Sequence, residues 1–307
     1  MTVVTRVLAP NPSALTLDGT NAWLLDDGKG RAICIDPGPP IARHVDAIVA
    51  AARARDATIE AILVTHGHPD HWPAAAPLAA ATGAKVYAHP HAAFDRDVAL
   101  RDGAIVRVGE MEIEAIDAPG HTFDSLVFHD AVAGALYTGD VVLGTGTVAI
   151  APPGGSMRAY QRTLERLAVD YATARTIYGG HGPRVDDAPA KLHEYVRHRE
   201  QRERELLAAL AAGPQTIPDL VRRIYTDVRP VLWPAAARQM LAYLLPLEEE
   251  GVVRGRDRDG GPTSDETAIL NPEWASIVGA EHAPLVEAEL GAMLRLETVR
   301  IYELNRS

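Results

Sequence analysis

Val64-Thr65-His66-Gly67-His68-Pro69-Asp70-His71-Trp72 places three imidazoles and one carboxylate within six residues. Each is a group that binds a divalent metal once deprotonated. Packed this tightly, the side chains would repel one another if protonated and lack mutual partners if neutral; a metal ion resolves both problems. Upstream, Ile59–Val64 is a short apolar run with β-branched residues and reads as a buried strand. Downstream, Pro73 and the alanine-rich segment to Thr82-Gly83 read as a helix with proline in its first turn and glycine at its end. The cluster therefore sits on a loop at the C-terminal edge of a strand, where α/β proteins build their sites.

Outward from this loop the pattern repeats. Residues 2–8, 21–26 and 31–36 read as strands joined by turn-forming stretches, followed by a helix over about 41–55 with Ile41, Val45, Ile48 and Val49 on one face. Further strands are expected at 85–88, 104–108, 111–117, 125–129, 134–138 and 176–178, and a helix carrying Tyr160, Leu164 and Leu167 on one face. Hairpin-like strands mixed with βαβ units point to sheets in contact, covered by helices on their outer faces.

Several of these strands end at further candidate ligands: His121 in Ala118-Pro119-Gly120-His121-Thr122, Asp140 after Thr138-Gly139, and His181 in Gly180-His181-Gly182. With His66, His68, Asp70 and His71 they make seven candidates, more than one tetrahedral ion needs and enough for two. Two ions roughly 3.5 to 4 Å apart need a bridging group, and the lone carboxylate of Asp140 suits that role. An isolated histidine is more often a solvated or hydrogen-bonded structural residue, and His44, His89, His91, His129, His193, His198 and His282 are read that way.

Asp36, His66-x-His68-x-Asp70-His71, His121 in Pro-Gly-His-Thr, Asp140 in Thr-Gly-Asp and His181 in Gly-His-Gly occur in the order found in the metallo-β-lactamase fold superfamily, which this chain resembles. The resemblance implies a four-layer αββα sandwich of the α/β class. It implies His66, His68 and His121 on one metal, Asp70, His71 and His181 on a second, Asp140 between them, and Asp36 supporting the ligand loop. The implied cofactor is two Zn2+, other divalent metals being possible. Two ions sharing a water lower its pKa, so that hydroxide is present near neutral pH, and polarise the group it attacks; Asp70 orients that water or takes its proton. Asp140 weighs against lactam hydrolysis as the main activity, because true β-lactamases of the superfamily typically lack the bridging aspartate.

From about residue 186 the composition shifts to helices at 191–212, 216–225 and 234–250. They are followed by Gly251–Arg254 and Thr267–Leu270, which read as the two strands of a hairpin. Helix, helix, helix, hairpin is a winged-helix pattern. The organisation expected is residues 1–190 for the hydrolase domain, 191–270 for a small winged-helix domain and 271–307 for an extension with a helix. Asn11-Pro12-Ser13, Thr16-Leu17-Asp18-Gly19-Thr20-Asn21, Gly139–Gly144 and Tyr195-x-x-His198-Arg199-x-x-Arg202-Glu203 are similar to the β-lactamase-like protein 2 family, which includes endoribonucleases. Trp72-Pro73-Ala74 and Ser125 depart from that family's usual pattern.

A net charge of -11 argues against a protein that coats nucleic acid or anionic membrane. Arg222, Arg223, Arg229, Arg238, Arg254, Arg256 and Arg258 could contact phosphates, although acids interleave them. Cys34, in a strand-like setting, reads as a buried thiol. No membrane span or leader is apparent, and a soluble cytoplasmic protein, a possible homodimer, is expected. Two partner classes follow. Single-stranded RNA is the one the resemblance favours. The alternative is a small-molecule ester, lactone or thioester held in an apolar pocket shaped by Trp23, Trp72, Phe123 and the loop 144–156.

Overall fold

The structure is a computed structural model that describes residues 2–270 and 299–305. Strands β1 (Val3–Leu8), β2 (Asn21–Asp26), β3 (Arg31–Ile35), β4 (Thr58–Leu63), β5 (Lys85–Ala88) and β6 (Val98–Ala99) form one sheet in sequence order. Strands β7 (Ile105–Val108), β8 (Met111–Asp117), β9 (Leu126–Asp130), β10 (Ala135–Gly139) and β11 (Thr176–Gly179) form the second, with β11 added parallel to β10 at its edge.

The layers follow from the two-residue period of strands. Along β2, Trp23 and Leu25 enter the core between the sheets while Ala22 and Leu24 face outward; along β3, Ile33 and Ile35 alternate with Ala32 and Cys34 in the same way. Phe128 and Tyr137 meet the inward residues from the opposite sheet. Helices α1 (Ala42–Arg53) and α2 (Ala75–Thr82) cover the first sheet through Val45, Ile48 and Leu78. Helix α3 (Met157–Asp170) covers the second through Tyr160, Leu164 and Leu167, the face expected from its spacing. This is the αββα sandwich, and Cys34 is buried on the α1 side of it.

The C-terminal unit is built on α4 (Ala188–Ala211), a 24-residue helix whose Leu192, Tyr195, Leu206 and Leu210 join the same apolar cluster as α3. Helix α5 (Ile217–Ile224) starts at a capping box, Thr216 with Asp219, and α6 (Trp233–Glu249) packs beside it. A short strand β12 (Gln215–Thr216), β13 (Val253–Asp257) and β14 (Arg300–Leu304) complete a winged helix in which β14 lies between the other two.

One expectation is overturned here. Residues read as the second strand of the wing belong to helix α7 (Ser264–Leu270), and the partner of β13 is β14. The chain chooses helix because Thr263 caps it: the Glu266 amide donates to Thr263 Oγ1 and the Thr263 amide to the Glu266 carboxylate. Strand β14 falls inside the segment read as an extension, and the helix expected within 282–298 lies outside the described residues. Among the described residues no helix is long and apolar enough to cross a membrane.

Candidate metal centre

The ligand loop leaves β4 where the two sheets meet. The Leu126 amide of the second sheet donates to Thr65 O at 2.7 Å, and the Asn21 amide of the first donates to Gly180 O, also at 2.7 Å. These cross-links bring the ends of β3, β4, β10 and β11 and the loop after β8 to one place. Gly180 is required there: a Cβ would lie 2.4 Å from Asp140 Oδ1 and 2.6 Å from the His71 ring.

All seven residues expected from the sequence converge. His66, His68, His121 and Asp140 form one group and Asp70, His71 and His181 another; within each group the donor atoms lie within 4.8 Å of one another. Asp140 reaches across the groups, with Oδ1 3.5 Å from His71 Nε2 and Oδ2 3.4 Å from His181 Nε2 and 3.8 Å from His121 Nε2.

Four of the five imidazoles are aimed from outside the cluster. His71 Nδ1 donates to Asp36 Oδ2 at 2.8 Å, His121 Nδ1 to Ala149 O at 3.2 Å and His181 Nδ1 to Gly19 O at 3.1 Å; His66 Nδ1 is 3.0 Å from Thr65 Oγ1. Those bonds leave the Nε2 atoms of His66, His71, His121 and His181 facing inward. His68 turns its Nδ1 inward instead, 3.0 Å from His121 Nε2. Asp36 itself is held by the amide and hydroxyl of Thr65 at 2.8 and 2.7 Å. Thr20 donates to Asp70 Oδ2 at 2.8 Å and is gripped in turn by Asn11.

The residues fit divalent ions. His66 Nε2, His71 Nε2 and Asp140 Oδ1 are buried without hydrogen-bond partners, and an orphaned buried polar atom costs about 1–3 kcal/mol. A cation in each of the two groups, with Asp140 reaching both, would satisfy all three. Without one, the cluster divides its charge. Burial and the neighbouring histidines push His66 well down and His68 to about 3. Burial also lowers His71, but the carboxylates of Asp70, Asp140 and Asp36 outweigh it and raise the ring to about 9; His181 is raised for the same reason by Asp140 and Asp70. Burial raises Asp70 and Asp140, but the cationic rings of His71 and His181 hold both below the usual carboxylate range.

Beside the cluster lies a cavity of about 600 Å³ between the sandwich and the C-terminal unit. His68, Asp70, His121, Asp140 and His181 line one part, and Leu15, Leu17, Leu143, Val148, Val228 and Leu232 supply apolar wall. The loop expected to shape a pocket contributes residues from Thr145 to Gly154. The aromatic residues expected with it do not line the cavity: Trp23 is buried against Tyr178 between the sheets, Trp72 stacks on Phe94 outside the first sheet, and Phe123 is exposed. Sequence reasoning missed Gly19, Thr20, Thr65 and Ala149. Two of these act through backbone oxygens, which carry no side-chain signal; Thr20 falls within a family-like stretch, which is the signal that could have found it.

The sequence matches the Metallo-beta-lactamase superfamily over residues 15–96 and 92–181, and the Beta-lactamase associated winged helix domain over 216–261. Lactamase-like protein adaB of Aspergillus niger is 32% identical over 292 residues, covering 90% of this chain and 88% of its own. The Beta-lactamase-like protein 2 homolog of Drosophila melanogaster is 31% identical over 282 residues, covering 82% and 89%. Two crystal structures share the fold. A metallo-beta-lactamase family protein from Thermus thermophilus has a TM-score of 0.67 at 22% identity, covering 85% of this chain and 96% of that one. A beta-lactamase domain protein from Burkholderia ambifaria has a TM-score of 0.70 at 19% identity, covering 84% and 88%.

Proposed function

The chain belongs to the metallo-beta-lactamase superfamily, and on that premise we propose that it is a dinuclear zinc hydrolase of a small, largely uncharged ester, lactone or thioester. The observation that carries this reading is the cavity. Its volume of about 600 Å³ lies within the range of small-molecule sites, and Leu15, Leu17, Leu143, Val148, Val228 and Leu232 give it an apolar wall, although Glu194, His198, Arg199, Arg202 and Asp227 also line it.

His66, His68 and His121 would hold one ion, Asp70, His71 and His181 the other, with Asp140 between them. Bound there, the ions supply an acidified water and a Lewis acid for the scissile carbonyl. The chain's own residues do the rest. Asp70 is the most open of the carboxylates in the cluster, with 23% of its side chain exposed, and it borders the cavity. Ionised at neutral pH, it orients the attacking water and accepts its proton as the new C–O bond forms. That proton passes to the departing alkoxide or thiolate as the old bond breaks, leaving a carboxylic acid and an alcohol or thiol. Thr20 keeps Asp70 in register, and the aliphatic wall excludes bulk water from the substrate body.

Single-stranded RNA is the second reading, supported by the winged helix and the related family. It ranks second because four of the seven arginines expected to track phosphates are engaged: Arg222 faces Asp219, Arg254 Glu303 and Arg258 Glu266, and Arg238 is buried against the carbonyls of Pro234 and Leu270. The test is a panel of neutral esters, lactones and thioesters against single-stranded RNA, run on zinc-reconstituted protein with metal content measured. Turnover of the panel insensitive to salt supports the first reading. RNA cleavage that falls steeply with salt, with no ester turnover, replaces it with the second.

A further inference from the structure

The loop between Asp140 and α3 crosses the cavity and is fastened to the C-terminal helices at every second or third residue. Tyr195 Oη accepts from the Leu143 amide and donates to Gly146 O, both at 2.9 Å. Arg199 Nη2 donates to Val148 O at 2.8 Å. Gln239 Oε1 accepts from the Ile150 amide at 3.0 Å. Between the last two stands Ala149, whose carbonyl is the acceptor that aims His121. The residues before and after this carbonyl are thus each tied to a different helix, α4 and α6.

The burial of these anchors shows what they cost. Arg199 is 1% exposed and carries its guanidinium over the Tyr160 ring, 5.0 Å from the centroid; its Nη2 donates to a loop carbonyl, not to a carboxylate. Gln239 is 4% exposed, and its Nε2 is left without a partner while Oε1 holds Ile150. Burying a guanidinium and a half-satisfied amide is expensive, and a loop needing only a lid could be covered by apolar side chains at less cost. What these groups do that apolar ones cannot is fix the direction of the two peptide planes flanking Ala149, the second of which carries its carbonyl.

We infer that Arg199 and Gln239, steadied by Tyr195, are positioning residues for the metal centre: by clamping Val148 and Ile150 they orient Ala149 O, and through it the imidazole of His121. The C-terminal unit is then a working part of the catalytic apparatus. The inference rests on His121 being a metal ligand, the reading proposed above.

The experiment uses full-length protein carrying Gln239→Met, which keeps the shape and removes the acceptor, and Gln239→Glu, which restores an acceptor oxygen for Ile150. Metal affinity is read by competition with a chromophoric chelator, and the His121 Nδ1–H proton by NMR of the metal-free protein. Expected for Gln239→Met is a roughly tenfold or larger loss of affinity for one ion, the other unchanged, together with a shifted or exchange-broadened His121 Nδ1–H signal. Gln239→Glu should restore both. Unchanged affinity and an unchanged His121 signal in Gln239→Met overturn the inference, as does an equal weakening of both ions that tracks a lowered Tm. Wild-type protein that binds no metal sinks the hydrolase reading instead, and the His121 signal still decides the clamp.

Discussion

Asp36 Oδ2 accepts the Nδ1–H of His71 at 2.8 Å while both oxygens of the same carboxylate hold Thr65 at the start of the ligand loop. Asp36 does this from a left-handed backbone conformation, φ +51°, which asparagine also tolerates. Asp36→Asn therefore tests the charge with little backbone penalty. The amide cannot accept all three donors, so metal affinity should fall by about 10–100-fold, measured by chelator competition. Wild-type affinity in this variant would show that His71 is aimed by something else.

Metal uptake should be proton-coupled. In metal-free protein His71 is raised from 6.5 to about 9, so over that window ion binding must displace a proton and apparent affinity should climb with pH. The linked stability has the opposite sense. A raised histidine stabilises the metal-free fold fully below pH 6.5, and that contribution is lost as pH rises toward about 9. His66, His68 and His121 are pushed down, so they add a rise in stability that fades as pH climbs past 6.5, while His181 is raised in the same sense as His71 and adds to the loss. Chelated protein should therefore lose thermal stability relative to metal-loaded protein in the upper part of the window, as pH approaches about 9. A gain would contradict the assignment.

Asp140→Ala removes the carboxylate that reaches both ligand groups. Turnover should fall by at least about a hundredfold, with circular dichroism and Tm of the chelated protein preserved, since the side chain holds no secondary structure together. Retention of full turnover would exclude a mechanism that needs both ions.

Glu266 is held down to about 2, first by its paired hydrogen bonds from Arg258. A depressed carboxylate contributes stability above its ordinary 4.5 that disappears as pH falls toward about 2. Glu266→Gln should therefore lower Tm at about neutral pH, and the gap to wild type should close on acidification through that window. A gap independent of pH would mean that the capping geometry at Thr263, and not the charge, carries the effect.

A chain ending at residue 187 should not yield a soluble, folded hydrolase. One continuous apolar cluster runs from Ile116 and Leu136 of the second sheet through Tyr160 and Leu164 to Tyr195, Leu206, Met240 and Tyr243. Truncation strips α3 of the helix that covers it and frees the loop after Asp140. Recovery of a monodisperse, active fragment would refute this.

The ligand cluster is legible in the sequence because its chemistry is local: four of seven groups fall in one loop, and the others sit after recognisable strands. Helices α1 and α3 are legible from the spacing of Val45 and Ile48, and of Tyr160, Leu164 and Leu167. The wing misleads because Thr267-Ala268-Ile269-Leu270 has β-branched residues while β14, the true partner of β13, is remote in sequence. Thr263-x-x-Glu266 holds the corrective signal. The cavity wall is illegible for a different reason: Leu15, Val148 and Leu232 come from three distant segments, and only packing of the sandwich against the C-terminal unit decides that they face one space. The aromatic residues that look like pocket material are used for core and stacking.

The order in which the metal centre can mature follows from where its parts lie along the chain. As the polypeptide leaves the ribosome, His66, His68, His121 and Asp140 emerge well before His181, and Gln239 emerges later still. A nascent chain can present a partial chelate long before β11 docks or the clamp closes on Ala149. His181 and the residues that fasten the Ala149 segment are therefore the last parts of the proposed centre to become available.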